Sequence, residues 1–252
     1  MLREGKHPEY FLPEAVPGFC SLTCCMGVLN YFWSTSFNGQ NTRQMMNLFK
    51  EGLYTGKEML DLPEIACKLD QLWFNIDYYL SYSEELHKDS VVNPMKYLYE
   101  RNPPHYHQFI KYDEQGYYWD SGSSIQRLWD TKFEQKILQS ETIKSYYSAD
   151  ILQVIKDHQG EWILFLVGLD YYTLHNEPME EGFAWGHVIL VSKIEDDHVI
   201  IFDPGPPLLL YHKVPIDQFM RSVEEMGTYY SFMKITDKHA DLAPFFPLSS
   251  TP

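Results

Sequence analysis

Gly18-Phe19-Cys20-Ser21-Leu22-Thr23-Cys24-Cys25-Met26-Gly27-Val28-Leu29-Asn30-Tyr31-Phe32 is the stretch on which the fold of this chain turns. Pro17-Gly18 stops a helix from beginning any earlier and leaves the following residues at a helix entrance. Leu22, Cys25, Met26, Leu29 and Trp33 then recur at helical spacing, so one face is apolar and packs inward. The spacing predicts a helix over 20–33 with Cys20 at its mouth. Unpaired backbone N–H groups and the helix dipole favour negative charge there, and so favour a thiolate, the nucleophilic form of cysteine. The competing reading is a small core residue, which is what most free cysteines are.

Outward from this helix, 252 residues with 44% hydrophobic content are enough for a sizeable core. A net charge of −15 argues against a nucleic-acid or anionic-membrane partner. No apolar run is long enough to span a bilayer, and Met1 to Pro8 has no apolar segment of the signal-peptide kind. Three of the four cysteines crowd into Cys20, Cys24 and Cys25, which is no disulfide framework. A reducing cytoplasm fits best, with export that needs no cleavable signal as the alternative.

In chain order, three prolines make residues 1–17 an extended arm. Helices are predicted at 42–51 and 62–72, the latter with Pro63 in its first turn, and an alternating strand at 74–80. Residues 81–147 are polar, aromatic and less periodic, with helical pieces expected at 93–101 and 123–136. This segment reads as an insertion that shapes a cleft. Ser148 is expected to cap a helix over 149–157, and the apolar run 162–169 reads as a strand buried on both faces. Strands at 186–194 and 199–203 flank the turn Glu195-Asp196-Asp197-His198 and make a hairpin. A short strand at 208–211, a helix at 216–225 and a last strand at 229–235 follow, with a loose tail over 236–252.

The hairpin carries the second half of the chemistry. His187 begins its first strand and Asp203 ends the second, so both fall at one end. Paired strands lie about 5 Å apart, within hydrogen-bond reach for an imidazole and a carboxylate on one face. An acid there fixes the tautomer of a histidine base serving a thiol. The competing reading is two strand ends bonded locally. Cys24 and Cys25, inside the helix, read as core. No metal or other cofactor is expected. Cys24-Cys25 lacks zinc spacing, His105-Tyr106-His107 follows Pro103-Pro104 and reads as loop, and no phosphate-binding glycine motif occurs.

Cys20-Ser21-Leu22-Thr23-Cys24-Cys25-Met26-Gly27-Val28-Leu29-Asn30-Tyr31, with Gly186-His187-Val188-Ile189-Leu190-Val191 and Phe202-Asp203-Pro204, resembles the Cys, His and Asp segments of papain-like peptidases of the bacteriocin-processing, double-glycine-leader type. It is also similar to the guanylyl-cyclase-like family. In that family, stretches resembling Leu164 to His175 precede the Gly-His strand, and stretches resembling Ile216 to Ile235 follow Asp-Pro. The resemblance covers about 14–80 and 148–235. It implies a single α+β papain-like domain over 1–252, in which the Cys helix packs on a mostly antiparallel sheet. It further implies Cys20 as nucleophile, His187 as base and Asp203 as the residue orienting it, acting on a peptide or amide substrate. Relatives carry Gln six residues before the Cys to bind the oxyanion, and often Gly after it. Here those positions hold Glu14 and Ser21, and an ionised carboxylate repels an oxyanion. Three expectations follow: a cysteine-dependent hydrolase, an acyltransferase with the same triad, or a papain-like binding module impaired at Glu14.

Overall fold

The computed structural model describes residues 20–33, 61–72, 74–92, 107, 110–113, 116–120, 125–127, 131–178, 186–205, 207–226 and 229–238. The elements in order are α1 (Cys20–Trp33), α2 (Leu62–Gln71), β1 (Phe74–Leu80), α3 (Glu84–Val92), β2 (Ile110–Asp113), β3 (Gly116–Asp120) and β4 (Ile125–Arg127). They continue with α4 (Thr131–Gln139), β5 (Lys144–Tyr146), α5 (Ile151–His158), β6 (Leu164–Asp170), α6 (Tyr171–His175) and β7 (Gly186–Glu195). The last are β8 (His198–Asp203), β9 (Leu209–Pro215), α7 (Ile216–Glu225) and β10 (Ser231–Asp237).

The described residues form an α+β structure around a seven-stranded sheet of order β5-β1-β10-β6-β7-β8-β9. Every neighbouring pair is antiparallel except β1 with β5. The apolar run of β6 explains its central place, because alternate side chains serve opposite faces. Leu164 and Leu166 join the core built with Leu22, Val28 and Leu29 of α1 and Ile65 and Leu69 of α2. Phe165, Val167 and Leu169 point the other way, into the core of Ile151 and Ile155 of α5 and Phe219 and Val223 of α7. Helices therefore cover both faces. Each fully buried Leu or Phe here contributes roughly 1.5–3 kcal/mol.

Several local expectations need correction. The helix after residue 147 is capped by Asp150, whose carboxylate accepts from the Gln153 N–H at 2.9 Å. Ser148 instead takes a left-handed turn at φ 53, and its N–H bonds the Tyr82 carbonyl. The buried strand begins at Leu164, not Trp162, which is 41% exposed in the preceding turn. Within 123–136 there is no continuous helix: Ile125–Arg127 pairs with β3, and α4 starts at Thr131. The helical spacing from Ile125 to Phe133 thus starts in a strand, and Phe133 and Ile137, one turn apart on α4, are the described residues that pack inward from a helix there. Strand β9 runs on to Pro215, and Thr236 and Asp237 belong to β10, paired with Asn75 and Phe74.

The segment 81–147 is tied to the large sheet through β5, which lies parallel to β1. Buried His87 of α3 bonds Glu134 of α4 through Nε2 at 2.8 Å, holding the two helices together. The arm over 1–17, the helices expected at 42–51 and 93–101, Glu14, and the histidine of the 105–107 motif that precedes Tyr106 lie outside the described residues. No described helix is long and apolar enough to cross a membrane.

Candidate active site

Cys20 is the first residue of α1 and 7% exposed, with the next turn of helix pressed against β7. The thiol of Cys24, one turn on, donates to the Val188 carbonyl at 3.2 Å, which fixes the helix to the strand beside His187. Along β7, Leu190 pairs with Phe202 of β8. Extending that register sets Asp203 opposite Ile189, on the face that Ile189 shares with His187. His187 and Asp203 are thus diagonal neighbours at one end of the hairpin.

His187 Nε2 lies 2.7 Å from Asp203 Oδ1, and Cys20 lies near enough to act electrostatically on the same imidazole. The structure therefore brings His187 and Asp203 into contact, with Cys20 at the mouth of α1 as a neighbour of the imidazole. Glu14 lies outside the described residues.

Asp203 is fully buried. Burial pushes its carboxyl up, but hydrogen bonds from His175 and His187, the His187 charge and the Gly205 N–H outweigh this, holding it well below the usual carboxylate range. It is therefore ionised at neutral pH and only accepts. Each histidine facing it must donate its Nε2–H, which leaves His187 Nδ1 for the Cys20 sulfur. Burial pulls the His187 imidazole down. The Asp203 hydrogen bond, then Cys20's hydrogen bond and the charges of both, reverse that and raise it from 6.5 to about 9. A histidine so placed is protonated at neutral pH.

Two participants escaped the sequence reading. His175, the last residue of α6, bonds the other oxygen of Asp203, Nε2 to Oδ2 at 2.8 Å. The N–H of Gly205 donates to Oδ1 at 2.8 Å. The signal for His175 was its place just past β6, whose last residue Asp170 pairs with Gly186 at the start of β7. Asp170 caps the short helix by accepting from Thr173 N at 2.8 Å, and Asn176 ends it in the left-handed conformation.

The remaining cysteines behave as core. All four thiols are free. Burial, with a smaller push from Cys20, raises Cys24; burial also carries Cys25 to about 12 and Cys67 to about 11. Among the described residues no group of three or more His, Cys, Asp or Glu side chains could hold a metal ion. Compared with known proteins, the chain matches no family model and no curated protein.

Proposed function

We propose that this chain is a papain-like cysteine hydrolase acting on a peptide or amide bond, with Cys20, His187 and Asp203 as its working residues. The observation that carries the reading is the position of His187, bonded to a buried, ionised Asp203 and electrostatically coupled to Cys20 at the mouth of α1. The α+β layout, with a helix that starts at Cys20 against an antiparallel sheet bearing the other two, supports the papain-like fold.

In this reaction the Cys20 sulfur attacks the substrate carbonyl carbon as the thiolate, its proton held on His187 Nδ1. The electron pair moves to the carbonyl oxygen, which the orphan N–H of Cys20 at the head of α1 is suited to receive. Collapse of that oxyanion breaks the C–N bond, and the imidazolium gives its proton to the departing amine. The acyl-thioester is then attacked by water whose proton passes to His187, releasing a carboxylic acid and restoring the thiol. An amine in place of water makes the same machinery an acyltransferase. Glu14, where relatives carry a glutamine, favours a second reading, a binding module without turnover.

Alkylation with iodoacetamide tests the proposal. Cys25 and Cys67, raised to about 12 and about 11, and the buried Cys24 stay unmodified near neutral pH, so peptide mapping is expected to find the label on Cys20 alone. H187N is expected to slow that labelling at least about tenfold. Equal labelling of all four cysteines, or a rate indifferent to H187N, would sink the reading. Detection of an acyl-thioester on Cys20 by intact mass with a peptide-ester probe separates turnover from binding.

A further inference from the structure

The two oxygens of Asp203 serve different partners. Oδ1 accepts from His187 Nε2 at 2.7 Å and from the Gly205 N–H at 2.8 Å, while Oδ2 accepts from His175 Nε2 at 2.8 Å. The site is thus a two-histidine arrangement on one carboxylate. We propose that His175 is a positioning residue that shares Asp203 with His187 and so limits how strongly this carboxylate holds the His187 imidazolium. The inference rests on the Cys20–His187 reading above.

The geometry favours a sharing role over simple packing. Asp203 has no exposure to solvent and His175 very little, so water does not compete for Oδ2. A buried carboxylate distributes its charge over the donors it meets, and each donor removed leaves more for the rest. Oδ1 keeps Gly205 and His187 whatever happens at Oδ2, so loss of His175 strengthens the bond to His187 and does not release it. Tyr171 packs against both imidazoles. Its ring centroid lies 4.4 Å from that of His175 and 5.3 Å from that of His187, edge-on at 90° to the latter. The shared anion joins the two rings. Among the described residues, the ionisable groups around the pair are Cys20 and Cys24 of α1, Asp170 at the end of β6, Tyr171 of α6 with Glu177 just beyond it, and Asp203 of β8.

The ratio of Cys20 alkylation rates by iodoacetate and iodoacetamide reads the imidazolium directly. The anionic reagent is drawn by the neighbouring cation and the neutral one is not, so the ratio falls as His187 loses its proton. In the wild type this fall is expected near pH 9. H175Q keeps an amide donor toward Oδ2, and H175M has nearly the same bulk without one. H175M is expected to move the fall upward by about half a pH unit or more, and H175Q to leave it near the wild-type position. Thermal denaturation of both variants runs alongside, since loss of packing lowers the midpoint of each without separating their ratios. An H175M profile that coincides with H175Q, or moves down, overturns the sharing role alone. A wild-type fall that survives H187N overturns the Cys20–His187 reading and the sharing role with it.

Discussion

Gly205 shows how much of the site hangs on single backbone positions. Its φ of +79 lies in the left-handed region, and a methyl group there would sit 2.3 Å from the Pro207 carbonyl carbon. That conformation turns the Gly205 N–H back onto Asp203 Oδ1. Substitution with alanine is expected to cost about 1–3 kcal/mol in chemical denaturation and to weaken the His187-dependent labelling of Cys20. At this scale Cys20, His187 and Asp203 were legible, because a helix mouth and two paired strand ends are local patterns. His175 was not. Its place just past β6 was the signal, but its approach to Asp203 depends on α6 folding back over the end of that strand, which the apolar run alone does not specify.

Among the elements, long periodic segments were read closely and short ones were not. Helices α2 and α7 and strand β1 match their sequence patterns because each carries one unbroken period from start to end. Helix α1 keeps its bounds but is buried on every side from Cys20 to Leu29 and not along one face. The stretch 123–136 failed because a strand and a helix lie within one apparent period. The cap of α5 shows a subtler competition: Ser148 and Asp150 are both good caps, and the left-handed turn at Ser148 hands the role to Asp150. The exchange D150A is therefore expected to cost about 1 kcal/mol in thermal or urea denaturation, and S148A to leave the α5 cap intact.

For the whole molecule, the buried pair ties stability to pH. His187 is raised from 6.5 to about 9, so its contribution is complete below pH 6.5 and is lost as pH climbs through about 9. Asp203 is depressed from 3.8, so its contribution is present above that value and is lost as pH falls through the folded one. Urea denaturation is expected to find a plateau between pH 3.8 and 6.5 from this pair, then a decline of at most about 3 kcal/mol toward and beyond pH 9. H187N is expected to flatten the alkaline decline. A decline unchanged in H187N would assign it to other groups.

The pairing of β1 with β10 brings together Tyr78 and Ser231, 153 positions apart, inside the large sheet. During synthesis α1, with its apolar face, leaves the ribosome long before the strands that cover it, and β1 has no antiparallel neighbour until β10 emerges. A nascent chain halted anywhere before that last strand thus bears a bare sheet edge, and one halted before β7 also a thiol without its base; either is a natural client for chaperones.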